Sequence, residues 1–314
     1  MRGRDQRKLL EILRVIAEAK RPVGARTISD MLSSRGYNLG ERAVRYNLRI
    51  LDELGFTRRY GYSGRIATSL GLKELRDALI HERIGFVNTL IEEYMLRTTF
   101  DFASGDLVAN ISLIDRNDLE RALEIMEMVA ESGYSGDLVR VHHKDDCAEI
   151  GTVCSITVDG LLLRAGIPVN TTFAGVLEIR NGEPCRFSDL IAYAGTSIDP
   201  MRAFMARRIA RVMDAVRSGS GKVLANVREV PVSALEDAMR VLDRARSIVG
   251  RIAVGAPGDD VLGCPVAPGR VGIAICAGVN APVAVAECGI RIRTCPISTL
   301  IPCGEMSRIR FYKS

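Results

Sequence analysis

Apolar residues recur at helical spacing from the start of the chain. Over Asp5–Ala19 they are Leu9, Leu10, Ile12, Leu13, Ile16 and Ala17, and Pro22 ends the run because proline disfavours helical geometry in the residue before it. A second helix is predicted over about Ala25–Arg35, with Ile28 and Leu32 inward and Gly36 as its stop. A third is predicted over Gly40–Leu54, striped by Val44, Leu48, Leu51 and Leu54 and ended by Gly55. Residues 56–60, a Gly61-Tyr62-Ser63-Gly64 turn and residues 65–68 then read as a hairpin. Three helices followed by a hairpin is the order of a winged helix-turn-helix, predicted here for residues 1–70. Residues 71–97 read as a helical bridge, with Leu75, Leu79, Ile84, Val87, Leu90, Ile91 and Tyr94 apolar and a break near Gly85.

Beyond the bridge the pattern repeats itself. GDLVANISLIDRNDLERALEIMEMV, from Gly105, aligns with GKVLANVREVPVSALEDAMRVLDRA, from Gly221, at an offset of 116 residues. Gly105, Ala109 and Asn110 match Gly221, Ala225 and Asn226. The helical stripe Leu119, Ala122, Leu123 and Met126 matches Leu235, Ala238, Met239 and Leu242. After small gaps, Cys154 is set against Cys264, Pro168-Val169-Asn170 against Gly278-Val279-Asn280, Glu178 against Glu287, Cys185–Ile191 against Cys295–Ile301, and Gly195 against Gly304. Residues 98–314 are thus expected to form one internally duplicated α/β domain, with halves at about 105–200 and 221–309. The fold class is α+β.

Each half reads as strand, helix, then several strands. In the first half these are Leu107–Leu113, the helix Asp118–Ser132, then Leu138–Val141, Gly151–Val158, Leu161–Pro168 and Val176–Arg180, with Asp159-Gly160 as a hairpin turn. In the second half they are Val223–Val230, the helix Ser233–Val249, then Arg251–Val254, Val261–Val266, Val271–Cys276 and Val283–Glu287. One helix, Arg202–Arg217, links the halves.

Charge sharpens this division. The net charge of +5 combines 16 lysines and arginines against 8 acidic residues in the first 75 positions with 27 against 30 in the rest. A basic head on a slightly acidic body favours a polyanionic partner for the head. On the third helix Arg42, Arg45, Tyr46 and Arg49 fall off the apolar stripe, forming a face suited to a major groove. Arg26 and Thr27 open the second helix beside it. Arg58, Arg59 and Arg65 on the hairpin are placed to grip phosphates or reach a minor groove. Double-stranded DNA is the expected partner. RNA, or a solvated basic face on a protein-binding winged helix, remains open.

The eight cysteines form no C-x-x-C pair, and the three histidines complete no metal-ligand spacing, so neither a metal nor a cofactor is expected. The charged N-terminus reads as no signal peptide, and no apolar run reaches membrane-spanning length, so a cytoplasmic, reducing compartment is expected. No G-x-S-x-G, Walker or dinucleotide-binding fingerprint is present, which argues against an enzyme. The nearest thing to a nucleophile and base is Cys154 with His142.

Several segments resemble one family closely. ERAVRYNLRILDELGFTRRYG, HERIGFVNTLIEEY with TTFD, CSITVDGLLLRAGIPVN, RFSDLIAYAGTSIDP, and GKVLANVREVP with VLGCPVAPGRVGIAICAGVNAPVAVAECGI resemble the NrpR family of archaeal nitrogen-regulation repressors, across nearly the whole chain. The resemblance implies a repressor of nitrogen-assimilation genes that binds palindromic operators as a homodimer or higher oligomer. It also implies release from DNA by 2-oxoglutarate, and leaves room for a partner regulator because the chain carries one regulatory domain.

A 2-oxoglutarate pocket needs cationic or N–H donors for two carboxylates and a donor near the keto oxygen. Where the halves match, Asn170, Thr171, Thr172, Asn280, Ser188 and Ser298 are candidates. Arg164, Arg186 and Arg270 are candidates for charge, and Cys154 and Cys264 for thiols in the wall. The interface between the halves is the expected place for it. Two other readings stand beside the repressor: an enzyme carrying a regulatory winged helix, and a ligand-free oligomerising adaptor.

Overall fold

The computed structural model describes residues 3–19, 21–34, 36–37, 39–72, 74–75, 86–196 and 198–312. The chain divides into two compact units, Met1–Ile84 and Gly85–Ser314.

In the first unit, helices α1 (Gly3–Ala19), α2 (Ala25–Ser33) and α3 (Glu41–Glu53) precede a hairpin of β1 (Thr57–Arg59) and β2 (Arg65–Ala67). Leu9, Ile12, Leu13, Ile16, Ile28, Leu32, Val44, Leu48 and Leu51 of the predicted stripes are buried in its core, whereas Leu10 and Ala17 are half-buried and Leu54, just past the end of α3, is exposed. Gly55, at φ +73°, stops α3: the Gly55 and Phe56 amides donate back to Asp52 and Leu51 in a left-handed helix cap. The hairpin gains a third backbone partner, since Val23 and Arg65 exchange hydrogen bonds of 3.0 and 2.9 Å. Gly64 makes this approach possible, because a Cβ there would lie 2.2 Å from the Val23 carbonyl. The second helix ends at Ser33; Arg35, its predicted end, lies outside the described residues. Of the predicted bridge, residues 71–72, 74–75 and 86–97 are helical, whereas 76–85, including the break near Gly85, lie outside the described residues.

The second unit begins with α4 (Phe86–Arg97). Its first half runs β3 (Asp106–Asp115), α5 (Leu119–Glu131), β4 (Leu138–His143), β5 (Cys147–Val153), α6 (Ile156–Arg164), β6 (Asn170–Arg180) and β7 (Glu183–Ala192). Helices α7 (Pro200–Arg207) and α8 (Val212–Ser218) follow. The second half runs β8 (Gly221–Pro231), α9 (Leu235–Ala245), β9 (Ile252–Val254), β10 (Arg270–Cys276), α10 (Asn280–Glu287), β11 (Ile292–Pro302) and β12 (Ser307–Arg308).

The two halves exchange strands. One sheet has the order β7-β6-β8-β10-β9 and the other β11-β3-β5-β4-β12. Strand β6 of the first half therefore pairs with β8 of the second, and β11 of the second pairs with β3 of the first, all antiparallel. Each half completes the other's sheet, so neither buries its backbone edge alone.

Hydrogen bonds fix how the halves correspond. The Val108 and Leu224 carbonyls accept from Cys154 and Ala277 amides at 2.8 and 2.9 Å. Thr157 Oγ1 then bonds the Val108 amide and carbonyl, as the Asn280 side chain bonds those of Leu224. The offset is 116 residues at Val108 and Leu224 and becomes 123 at Thr157 and Asn280. The added residues lie in the 255–269 connection, where the second half carries a longer loop than the 144–146 turn of the first. This corrects the register predicted beyond the first helix. Cys154 corresponds to Ala277, and Cys264 sits in the longer loop. Asn280 corresponds to Thr157 rather than Asn170, and β11 corresponds to β6 rather than to Cys185–Ile191 of β7.

Five predicted elements also change. Gly151–Val158 is strand only to Val153. Leu161–Pro168, read as a strand with a turn at Asp159-Gly160, belongs largely to α6, and Val283–Glu287 to α10. In α6 every residue from Ile156 to Leu162 is buried, and a helix buried on all sides shows no stripe to distinguish it from a buried strand. Gly160 serves packing: a Cβ there would come within 2.7 Å of Thr98 Cβ, just beyond α4. Val261–Val266 forms only an isolated bridge between Val261 and Cys264. The single linking helix is two, because Arg208 turns left-handed at φ 50° between α7 and α8.

Candidate nucleic-acid interface and inter-repeat polar cluster

The first unit carries an exposed cationic face. Burying Val44, Leu48 and Leu51 turns Arg42, Arg45, Tyr46 and Arg49 of α3 outward, and all four are exposed. Arg26 and Thr27 at the start of α2 and Arg58 and Arg59 on β1 are exposed too. Arg45 pairs with Glu41, one turn earlier at 2.5 Å, a solvated contact that leaves the guanidinium available. Arg65 departs from expectation. It is half-buried and its Nε lies 2.7 Å from Asp52, whose other oxygen accepts from Thr57 Oγ1 at 2.6 Å. That side chain braces the hairpin against the end of α3 and is committed before any phosphate arrives. Sequence reasoning passed over Tyr60 and Tyr62, which stand exposed at the hairpin tip. Aromatic residues flanking Gly61 in a turn too short to be covered were the available signal.

The second unit holds a buried polar cluster where its halves meet. Arg228 of β8 and Asp159 of α6 are both fully buried, with Arg228 Nε 2.7 Å from Asp159 Oδ1. The second Asp159 oxygen accepts from Thr171 Oγ1 at 2.9 Å. Arg228 Nη2 reaches Ser155 Oγ at 3.2 Å, Ser155 donates to Asn226 Oδ1 at 2.8 Å, and Asn226 Nδ2 lies 3.3 Å from the Tyr193 hydroxyl. The chain of contacts therefore runs between α6 and β6 of the first half and β8 of the second. Burial pushes the Asp159 carboxyl up, opposed by Arg228 and by the Thr171 hydroxyl. Burial likewise raises the Tyr193 hydroxyl well above its ordinary value and the Cys154 thiol to about 12.

A cavity of about 10 Å³ adjoins this cluster, lined among others by Asn110, Cys154, Ser155, Tyr193, Asn226 and Gly278. Asn110 and Asn226 are equivalent by the repeat, as are Ser155 and Gly278, so the cavity lies where the two halves face one another. Gly278 is needed there, because a Cβ would fall 2.0 Å from the Val153 carbonyl.

Of the residues expected to bind an effector, the structure brings only Cys154 and Thr171 to this place. Asn280 is buried, but its amide is spent on Leu224 and on the Tyr134 carbonyl. Asn170 and Arg164 are exposed at element ends. Thr172 donates to the Val227 carbonyl, Arg186 pairs with Glu178 at 3.2 Å, and Ser188 bonds Asp189. Cys264 is buried in the 255–269 loop. Arg270 donates to the Glu229 carbonyl, and Ser298 to that of Cys295. These residues are therefore not gathered into one pocket here, since their grouping rested on the mistaken register. Asp159, Ser155, Asn226, Arg228 and Tyr193 were missed. The signal was Asp159 as the one acid within residues 156–163, and Arg228 beside Glu229 in a mostly apolar strand, 69 residues apart.

Nucleophile chemistry finds little support at Cys154, whose buried thiol stays protonated near neutral pH, while His142 is exposed on β4. Among the described residues no cluster of histidine, cysteine or acidic side chains is arranged to hold a metal ion, and no helix is long and apolar enough to cross a membrane.

Comparison with known proteins covers both units. Residues 84–308 match the model of the NrpR regulatory domains NRD1 and 2, and residues 10–75 match the ribonuclease R winged-helix domain. The chain is 46% identical to the global nitrogen regulator NrpRI of Methanosarcina mazei, over 97% of this chain and 98% of that protein. It is 36% identical to the global nitrogen regulator NrpR of Methanocaldococcus jannaschii over 97% of this chain, spanning 55% of that longer protein. A crystal structure of a nitrogen repressor-like protein from Methanococcus jannaschii superposes with a TM-score of 0.63 at 26% identity, covering 71% of this chain and 98% of that one.

Proposed function

The chain belongs to the NrpR family of nitrogen regulators, and from that premise we propose that it represses nitrogen-assimilation genes by binding palindromic duplex DNA and lets go when a small dicarboxylate, 2-oxoglutarate, binds its duplicated domain. The observation that carries the DNA reading is the exposed set Arg42, Arg45, Tyr46 and Arg49 on a helix whose other face is core. An α-helix fits the major groove, and a guanidinium fork pairs with guanine edges or phosphates. Arg58 and Arg59, with the exposed hairpin tip, supply backbone contacts that set register without reading sequence.

Release follows from the closed seam between the halves. A cavity of about 10 Å³ holds one water-sized sphere, far less than a dicarboxylate needs. The effector therefore binds only when the halves part, exposing the Ser155 and Tyr193 hydroxyls and the Arg228 guanidinium to its oxygens. A ligand excluded from one state and accepted by the other shifts the population toward the second, to an extent set by its concentration and its affinity for that state. In an oligomer the reading helices must lie about 34 Å apart or a multiple of that, so a change in the body that alters this spacing releases DNA.

The test is a titration of a palindromic promoter duplex with the full chain and with the Arg45→Ala/Arg49→Ala variant. The variant is expected to bind at least about tenfold more weakly and to flatten the salt dependence by about two phosphate contacts. Equal affinity and equal salt slope would reject the α3 face.

A further inference from the structure

A second site lies on the body, where it shares no lining residue with the seam cavity. Helices α5, α8 and α10 and strand β11 enclose a cleft of about 1030 Å³. Its apolar lining includes half-buried Met205, Val283 and Ile292 over fully packed Phe204 and Met213. Four arginines from separate elements stand at its rim: Arg121 of α5, Arg208 between α7 and α8, Arg217 of α8 and Arg293 of β11. All four are exposed, and among the described residues none of their guanidinium groups has an ion-pair or hydrogen-bond partner. Several other surface arginines of this unit are paired, although Arg116, Arg207 and Arg291 are not, among the described residues. Arg97, Arg140, Arg186, Arg240, Arg246 and Arg308 each pair with a carboxylate.

The cleft's own acids do not neutralise the rim. Glu287 is spent on the start of α8, accepting from the Val212 and Met213 amides at 3.0 and 2.8 Å. Asp214, the other carboxylate in the lining, stands alone against four rim cations. Arg211 is turned inward onto the carbonyls of Arg208 and Ala210, bracing the loop that presents Arg208. Arg208 itself holds a left-handed backbone at φ 50°, which residues other than glycine seldom adopt. Strain of this kind persists where surrounding structure imposes it, and it often accompanies a ligand clamp.

We propose that this cleft binds a nucleoside di- or triphosphate. Bringing like charges together around one cavity costs energy unless a multiply charged anion occupies it. Guanidinium forks match phosphate oxygens two at a time. The volume is at the upper end for small-molecule sites and far exceeds what inorganic phosphate or a short dicarboxylate fills, while the partly exposed Met205, Val283 and Ile292 offer an apolar bed for a planar base. The site is separate from the seam cavity and does not depend on the DNA reading.

The experiment is calorimetric titration of the full chain with ATP and, separately, with inorganic tripolyphosphate, repeated on Arg121→Ala/Arg293→Ala. Both substitutions are at exposed, unpaired positions, and an unchanged melting temperature checks that the variant is folded. ATP is expected to bind at least about tenfold more tightly than tripolyphosphate, and the variant to lose at least about tenfold in ATP affinity. Crosslinking with 8-azido-ATP is expected to label peptides within 204–217 or 282–294. No ATP binding, undiminished binding by the folded variant, equal affinity for tripolyphosphate, or labelling confined to the seam or the winged helix would each overturn the proposal.

Discussion

Where β6 crosses to β8, Arg228 and Asp159 form a wholly buried ion pair held by Thr171 and Ser155. Where β11 crosses to β3, the position equivalent to Arg228 is Ser112, whose hydroxyl meets that of Thr294 at 2.8 Å, and the position equivalent to Asp159 is Pro282. One backbone plan, used twice, has thus been filled with two chemistries. Two small hydroxyls cost little to bury. A charge pair costs several kcal/mol per ion to desolvate and recovers it only in good geometry. The first junction is therefore intolerant of displacement and the second forgiving. In the proposed mechanism the junction that must open for an effector is the intolerant one, next to the seam cavity.

The largest test of this difference is Arg228→Ala, which leaves Asp159 buried without its partner. It is expected to destabilise the second unit by about 3–5 kcal/mol in urea unfolding. Replacing both partners by apolar residues, Arg228→Met with Asp159→Leu, is expected to restore most of that loss while changing how the halves part. A small effect of Arg228→Ala would mean that the pair is not buried as described.

Next in size is the cap shared by the two halves. Asn280 bonds both backbone groups of Leu224 and the Tyr134 carbonyl, whereas Thr157 serves only Val108. Asn280→Ala strands several buried groups, at about 1–3 kcal/mol, and Thr157→Val should cost about 1 kcal/mol. If these two variants proved equal, the halves would be more alike energetically than their hydrogen bonds indicate.

Smallest is Ser112→Ala, which removes one hydroxyl of a neutral pair and is expected to cost about 1 kcal/mol or less. A loss matching that of Arg228→Ala would abolish the contrast between the junctions.

The two units also differ in how far their sequences reveal them. In the first, amphipathic helices face core on one side and solvent on the other, so the stripe names both the buried residues and the exposed arginines. Leu54 misled, since it follows the last turn of α3 and is exposed, and so did Arg65, whose commitment to Asp52 spans 13 residues and leaves no periodic trace. In the second, β3 with α5 and β8 with α9 repeat legibly because each is a local unit with its own pattern. The exchange of β6 and β11 is not legible, since pairing partners lie in opposite halves. Helix α6 was hidden by burial on all sides, and the start of α10, residues 280–282, by the same lack of an exposed polar face. The polar cluster depended on all of this: Ser155 and Asp159 meet Asn226 and Arg228 only once the strands have crossed. The gaps that shifted Cys264 opposite Cys154 come from the 255–269 loop, whose apolar stretch Val261–Val266 imitates a strand but forms only an isolated bridge.

The most direct measurement is the affinity of the full chain for a palindromic promoter duplex across a range of salt, with and without 2-oxoglutarate. The account predicts affinity that falls linearly on a log–log scale with salt and drops further when 2-oxoglutarate is added. Binding insensitive to salt would contradict a basic reading face, and salt-sensitive binding untouched by saturating 2-oxoglutarate would contradict release through the duplicated body.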